Sequence, residues 1–172
     1  MVLDSNNSYP LADIMTVIQA VILFIGLGLT CITIYFQKVQ AKRLATLELI
    51  IHQRSNLKFN ESFDILTNLI NNEGPFCDLS RYLKDRSSKE SQAILEVLNF
   101  REFVAVGINS GIIDEFTYKN AYCSTFVRDW EYLEHTVKAL RKSTGKQTFF
   151  QDFEILAKKW KTTPLKCRNK KI

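Results

Sequence analysis

IMTVIQAVILFIGLGLTCITIYF, residues 14–36, is the stretch that decides the fold of this chain. It contains no Asp, Glu, Lys, Arg or His. As an α-helix rising about 1.5 Å per residue, it would extend about 34 Å. The hydrocarbon core of a bilayer is about 30 Å thick, so this length suffices to cross it. We therefore predict a transmembrane helix at 14–37, preceded by a short tail at 1–13.

Two other interpretations of the apolar stretch fit less well. A cleaved signal peptide has a basic start, a shorter apolar segment and small residues at its cleavage site. Here Asp4 and Asp13 precede the apolar residues, and the bulky residues 34–36 end them. A buried helix of a soluble protein seldom exceeds about 14 apolar residues without a charge. A membrane span remains the expectation.

The charges on the two sides of the span differ. Lys38, Lys42 and Arg43 follow it closely, and no Lys or Arg precedes it. Basic residues near a span favour the cytoplasmic side of the membrane. We therefore predict that the N-terminus lies outside and that the rest of the chain lies in the cytosol.

The part after the span has the size of one domain and carries most of the charge. About 135 residues remain, which is typical of a single domain, and we predict a domain at 38–160 and a basic tail at 161–172. The net charge of the chain is +5, and the part from residue 37 onward carries +7 because only Asp4 and Asp13 are charged before it. The terminal cations are Lys158, Lys159, Lys161, Lys166, Arg168, Lys170 and Lys171. Such a tail either binds anionic lipid headgroups or RNA, or remains solvated.

Motifs of common enzyme chemistry are missing. The sequence has no Gly-rich phosphate loop, no His-Glu-x-x-His and no Ser nucleophile motif. The four cysteines are too widely spaced for a zinc site or a disulfide framework. They are Cys31, Cys77, Cys123 and Cys167. We therefore predict neither a metal nor a cofactor.

The pattern after the span is helical throughout. Residues 37–52 contain no Gly or Pro and continue the helical spacing of apolar residues, so one long helix should run from the span into the domain. No later segment alternates with a period of two. The residues expected to cap the later helices are Asn60, Ser87, Asp114 and Thr148. The predicted fold class is all-α: one transmembrane helix continuing into a cytosolic helical bundle.

The span carries a stripe of polar and small residues on one side. At 100° per residue its members fall within a sector of about 100°, and the other faces are Ile, Leu, Val and Phe. This polar stripe consists of Thr16, Gln19, Leu23, Gly26, Thr30, Thr33 and Gln37. Its residues either pack helices together in a homo-oligomer or line a polar pore, in which Leu23 would be the constriction.

Arg128 and His135 are the candidate catalytic residues. Seven positions on a helix amount to 700°, so the two side chains face the same way within about 20°. An arginine that stabilises charge on phosphate and a histidine that moves a proton could together cleave RNA without a metal. Both residues could instead be structural, with the nearby Glu131 neutralising a cation of a neighbouring helix or subunit.

Arg128, Asp129 and His135 resemble the motif of HEPN ribonucleases: Arg, a polar residue, and His after four to six intervening residues. HEPN domains are helical and pair so that two motifs form one site. The resemblance therefore implies a HEPN-like bundle at 38–160. Six residues separate Arg128 from His135, which is the longest spacing that the motif allows.

Other segments resemble a family of bacterial membrane-anchored helical proteins, and within it the small accessory membrane proteins of type VI-B CRISPR systems. These segments are KRLATL at 42–47, LNFREFVAVG at 98–107 and GIID at 111–114. The resemblance covers about four fifths of the chain. It implies an octameric pore in the bacterial inner membrane, with the N-terminus in the periplasm, that cooperates with an RNA-guided RNase against phage by depolarising infected cells. A membrane-anchored HEPN ribonuclease and a non-conducting membrane adaptor remain the alternatives.

Overall fold

The computed structural model describes residues 9–74 and 76–165, with side chains from residue 13 onward. The described residues form five α-helices, a 3-10 helix and no strand, which confirms the predicted all-α class. The helices are α1 (Tyr9–Ser55), α2 (Leu57–Glu73), α3 (Lys89–Asn109), α4 (Glu115–Thr144) and α5 (Gln151–Thr162), and the 3-10 helix (Leu79–Lys84) lies between α2 and α3. Most of the predicted outer tail and the tail cations Lys166, Arg168, Lys170 and Lys171 lie outside the described residues.

Helix α1 contains the predicted span and continues past it without a break. It has 47 residues, and within it Asp13–Ser55 is long and apolar enough to cross a membrane, with a window of mean hydropathy 2.4. None of that window is buried. The chain divides into two units after Ala41, so the span belongs to one unit and the end of α1 belongs to the bundle.

Within the bundle unit, the buried side of α1 is formed by Thr46, Ile50 and Gln53. Their spacing of four and three places them on one face of the helix. The apolar spacing of this segment predicted that the helix continues, which is confirmed, but Leu44, Leu47 and Ile51 are exposed. The buried threonine and glutamine are tolerated because each hydrogen-bonds to another element.

The core of the bundle is formed by α2, α3, α4 and α5, together with Ile50 of α1. Phe126 of α4 packs against Phe153 and Trp160 of α5, with ring centroids 4.8 and 4.9 Å apart. Trp130 contacts Phe153 edge to face at 5.2 Å. Large buried rings of this kind contribute much of the hydrophobic stabilisation of a small bundle.

The capping predictions were partly right. Asp114 caps α4 as predicted, accepting a hydrogen bond from the Thr117 N–H at 2.8 Å. Helix α2 is capped by Asn56 rather than Asn60, and α3 by Ser88 rather than Ser87. Each true cap lies a few residues before or after another residue of a suitable type, so the local pattern does not choose between them.

Thr148 does not cap α5. The residue before α5, Phe150, has φ 53° and makes no side-chain capping bond. The carboxylate of Glu102 on α3 binds the free amides instead, at 2.8 Å from the Phe153 N–H and 3.3 Å from the Asp152 N–H. A cap from another helix satisfies donors that α5 cannot satisfy itself.

The connection between α3 and α4 uses the GIID segment. Gly111 has φ 76°, a conformation that glycine adopts without strain. The turn brings Ile113 so close to Gly107 that a Cβ atom there would lie 2.4 Å from the Ile113 Cδ1 atom. The Asp114 N–H then donates to the Thr46 hydroxyl of α1 at 2.9 Å. Two of the segments that carry the family resemblance therefore meet and join α1 to the start of α4.

Candidate functional site

Arg128 and His135 both lie exposed on α4, about 10 Å apart along the helix axis. The guanidinium of Arg128 is 3.5 Å from the Asp129 Oδ1 atom. Within the described residues, His135 makes no side-chain hydrogen bond. A general base is normally oriented by a second group, and the described residues of the chain do not supply one here.

Asp129, the middle residue of the motif, is buried in an ion pair that the sequence analysis did not predict. Its Oδ2 atom accepts hydrogen bonds from the Nε and Nη2 atoms of Arg101 at 2.9 and 2.6 Å. Arg101 is 1% exposed and Asp129 is 4% exposed. Buried charges of opposite sign are retained only when they are paired in this way, so Asp129 has a structural role.

The ion pair continues into a chain of buried hydrogen bonds that ends on α1. Arg101 Nη1 donates to the Tyr118 hydroxyl at 3.3 Å, and that hydroxyl donates to Gln53 Oε1 at 3.0 Å. Burial raises the pKa of Tyr118 to about 12, although the positive charge of Arg101 opposes the shift. The chain joins α1, α3 and α4 by polar contacts inside the bundle.

Replacing Tyr118 with Phe should remove a component of alkaline unfolding. Because the pKa of Tyr118 is raised to about 12 in the folded chain, its contribution is complete below pH about 10 and is lost as pH rises through about 12. A shift of this size corresponds to about 2–3 kcal/mol. Unfolding free energies measured from pH 8 to 12 should therefore fall less steeply for Tyr118→Phe than for the parent. Parallel pH profiles would contradict the assignment.

A cavity of about 270 Å³ lies beside the motif, between α2 and α4. We call it the α2–α4 cavity. Its apolar lining residues are Phe63, Leu66 and Ile70, and Thr67, Asn71, Arg128, Asp129 and Tyr132 supply its polar groups. The complete lining is Phe63, Leu66, Thr67, Ile70, Asn71, Arg128, Asp129 and Tyr132. His135 does not line this cavity. The two predicted catalytic residues therefore lie in different surroundings, with Arg128 at the cavity and His135 outside it.

The predicted basic residues near the end of the chain are partly neutralised. Glu131 binds Lys161 of α5 at 2.9 Å, which confirms that it neutralises a cation of a neighbouring helix. Lys159 binds Glu115 at 2.8 Å, and Lys158 binds a glutamate on its own helix. The described lysines of this region are therefore less available to RNA or lipid than their number suggests.

The polar stripe of the span is exposed along α1. The Thr30 hydroxyl donates to the Gly26 carbonyl at 2.8 Å, and the Thr33 hydroxyl donates to the Leu29 carbonyl at 2.9 Å. Their donors are therefore satisfied within the helix, and the hydroxyl oxygens keep lone pairs for other partners. Among the described residues, neither Gln19 nor Gln37 makes a side-chain hydrogen bond. The amides of the stripe are the groups that most need a partner in lipid.

The cations that follow the span also influence the pKa of Asp114 in the bundle. Burial acts to raise the pKa of Asp114, but hydrogen bonds from Thr117 and the positive charges of Arg43 and Lys42 together lower it. Lys38 is exposed at the end of the span. Two of the three flanking cations thus favour the ionised form of the residue that caps α4.

The sequence model of a family described as "Domain of unknown function (DUF4760)" matches residues 18–160. The match includes most of the span and the whole described bundle up to Trp160. No curated protein and no solved structure matches the chain.

Proposed function

Since the chain belongs to the family described as a domain of unknown function (DUF4760), we propose its function from its own residues: several copies associate through α1 and surround a polar path across a membrane. The family match extends from the span into the bundle.

One observation supports this proposal: the face of α1 that is polar within the span becomes apolar, and stays exposed, beyond it. Counting onward from Gln37 in steps of three and four leads to Gln40, Leu44, Leu47 and Ile51. The last three are 60%, 46% and 65% exposed, so this face of α1 is apolar in the segment that follows the span. The same face is polar within the span, where lipid would surround a single helix.

A parallel assembly of α1 helices would cover the apolar face that follows the span and would remove the polar face of the span from lipid. A seven-residue repeat is the period with which helices pack around one another in a left-handed bundle. In such a bundle the leucines would be covered by neighbouring copies, and the stripe would face a shared axis instead of lipid. Thr46 and Gln53 lie on a different face of α1, so packing within the bundle does not compete with this association.

Disrupting the apolar face should disrupt assembly. Leu44→Glu combined with Ile51→Glu places charges in the seam between copies, and burying an unpaired charge costs several kcal/mol. We expect the parent to form a ring in electron micrographs of detergent-purified protein, and the double variant to be monomeric. Leu57→Glu is the matched control, because Leu57 is 77% exposed on α2 outside the register. Rings formed by the double variant would show that Leu44 and Ile51 do not lie between copies.

The proposed location is the bacterial inner membrane, with residues 1–13 in the periplasm and the bundle in the cytosol. The support is the cluster Lys38, Lys42 and Arg43 on one side of the span. A reporter enzyme fused after Ile172 should be active only when the reporter works in the cytosol. Activity of a periplasm-specific reporter at the same position would reverse the orientation.

The resemblance to accessory membrane proteins of type VI-B CRISPR systems extends the proposal to a cellular role. An open path would depolarise the membrane of an infected cell and so strengthen defence by an RNA-guided RNase. A permanent leak would harm the host, so the role requires opening or assembly after a signal. Membrane potential followed with a dye during phage infection, with and without the RNase effector, tests this role. Depolarisation independent of the effector would separate the protein from that system.

A further inference from the structure

The α2–α4 cavity has the size and the wall chemistry of a site for one small ligand. Its volume of about 270 Å³ is close to the lower end of the range for ligand pockets, roughly 300–1,000 Å³. Leu66 and Ile70 of α2 form an apolar floor, and both are buried. Phe63 and Tyr132 place an aromatic ring on each of the two helices that line the cavity. These walls suit a flat ring rather than a flexible chain.

Two of the polar side chains at the cavity, Asn71 and Tyr132, are not used by the fold. Within the described residues, neither the Asn71 amide nor the Tyr132 hydroxyl makes a hydrogen bond. An amide presents donors and an acceptor side by side, which suits the edge of a nucleobase. Tyr132 also contacts Phe76 edge to face, with ring centroids 6.2 Å apart.

The charge at the cavity favours an anion. Asp129 is its only acid, and Arg101 already neutralises that carboxylate through two hydrogen bonds. The Arg128 side chain is 48% exposed and lies 3.5 Å from the other carboxylate oxygen. Most of its five donors therefore remain available, and a guanidinium fork matches the oxygen atoms of a phosphate.

We propose that the α2–α4 cavity binds a mononucleotide, with its base between Phe63 and Tyr132 and its phosphate on Arg128. The apolar floor takes the ring, Asn71 binds the base edge, and the guanidinium at the opening takes the charged end. A volume of about 270 Å³ suits one small ligand and is too small for a folded oligonucleotide. Binding here needs no phosphate loop, because the anion is held by a side chain and not by backbone amides.

Titration of the full-length protein in detergent tests the proposal. The probes are AMP, GMP, CMP and UMP, with the nucleoside of each and inorganic phosphate as the two halves of a ligand. We expect saturable heat of binding from at least one nucleotide. The matching nucleoside and phosphate should bind at least about tenfold more weakly, since each lacks one set of contacts. Phosphate binding as tight as the nucleotide would show that no base enters, and it would overturn the proposal.

Two variants distinguish nucleotide binding in the cavity from the general attraction of anions to a basic protein. Arg128→Gln should weaken nucleotide binding by about tenfold or more, because the phosphate loses its charged partner. Lys138→Gln is the matched control: Lys138 lies on the same helix, binds Glu134 and is not part of the cavity lining. Its affinity should equal that of the parent. Equal losses in both variants, or no binding of any of the four nucleotides, would refute the site.

Discussion

Asp129→Ala should lower the free energy of unfolding by about 3–5 kcal/mol, since it leaves the Arg101 guanidinium buried without its carboxylate partner. Both side chains are almost fully buried and share two hydrogen bonds. The loss can be followed by fluorescence, because the only two tryptophans, Trp130 and Trp160, are both buried in the bundle. Their emission therefore reports unfolding of the bundle and not changes in the span.

Two controls distinguish the buried pair from a general effect of removing acids. Glu134→Ala removes a partly exposed acid that binds Lys138 on the same helix, and such pairs contribute about 0–1 kcal/mol. The double variant Arg101→Met with Asp129→Leu removes both charges and should recover most of the stability. If Asp129→Ala were as mild as Glu134→Ala, the ion pair would not be a major stabilising contact. A loss of function in Asp129 variants should accordingly be interpreted as loss of folding before catalysis is considered.

Leu23→Ser should increase the leak of ions across the membrane, and Thr30→Leu should decrease it. Leu23 is the only large apolar residue of the polar stripe, and a ring of leucines can hold a narrow path closed by excluding water. Lowering that barrier by about 1.4 kcal/mol would raise the leak about tenfold. A dye that reports membrane potential in growing cells measures the effect. Thr30→Leu adds a second apolar ring and should keep the potential at least as high as in the parent.

Ile25→Ser is the matched control for this pair of variants. It makes a similar change in the same helix, but position 25 lies about 160° from Leu23 around the axis. Its side chain would face lipid in the proposed ring, so the leak should not change. The same response from all variants and the parent would mean that the stripe packs helices and conducts nothing. Because the stripe contains no charge, a path of this kind should discriminate weakly among ions, with Lys38, Lys42 and Arg43 favouring anions at one mouth.

The elements of the fold were predictable because their signals are local. Three local signals determine where α1, α3, α4 and α5 lie. They are an uncharged stretch long enough to cross the hydrocarbon core of a bilayer, apolar residues at helical spacing, and turns with Gly. Some of the wrong predictions selected one of two nearby residues as a helix cap, such as Asn60 instead of Asn56 for α2. Others concern partners that are distant in sequence, because no local rule finds Glu102 as the cap of α5. The 3-10 helix at Leu79–Lys84 lacks a periodic pattern and was not predicted at all.

The candidate site was predictable only in part. The spacing of Arg128 and His135 is visible in the sequence, but the role of Asp129 depends on a residue of α3. One signal for Arg101 did exist: it occupies a position between Leu98 and Val104 where the apolar face of α3 continues. A charge at such a position is buried and requires an acid nearby. Which acid it binds is a property of the packed bundle.

The capping of α5 by Glu102 has a consequence for synthesis of the protein. An isolated helix of 12 residues is marginal in water, and the groups that stabilise α5 belong to α3 and α4. Of the five helices, α5 also leaves the ribosome last, whereas the proposed membrane span leaves it first. The bundle therefore closes only after the span is available for insertion, and a released chain that ends before Gln151 leaves Phe126 and Trp130 without their ring contacts to α5. Such an interrupted chain presents the exposed aromatic surface that chaperones and proteases recognise at the membrane.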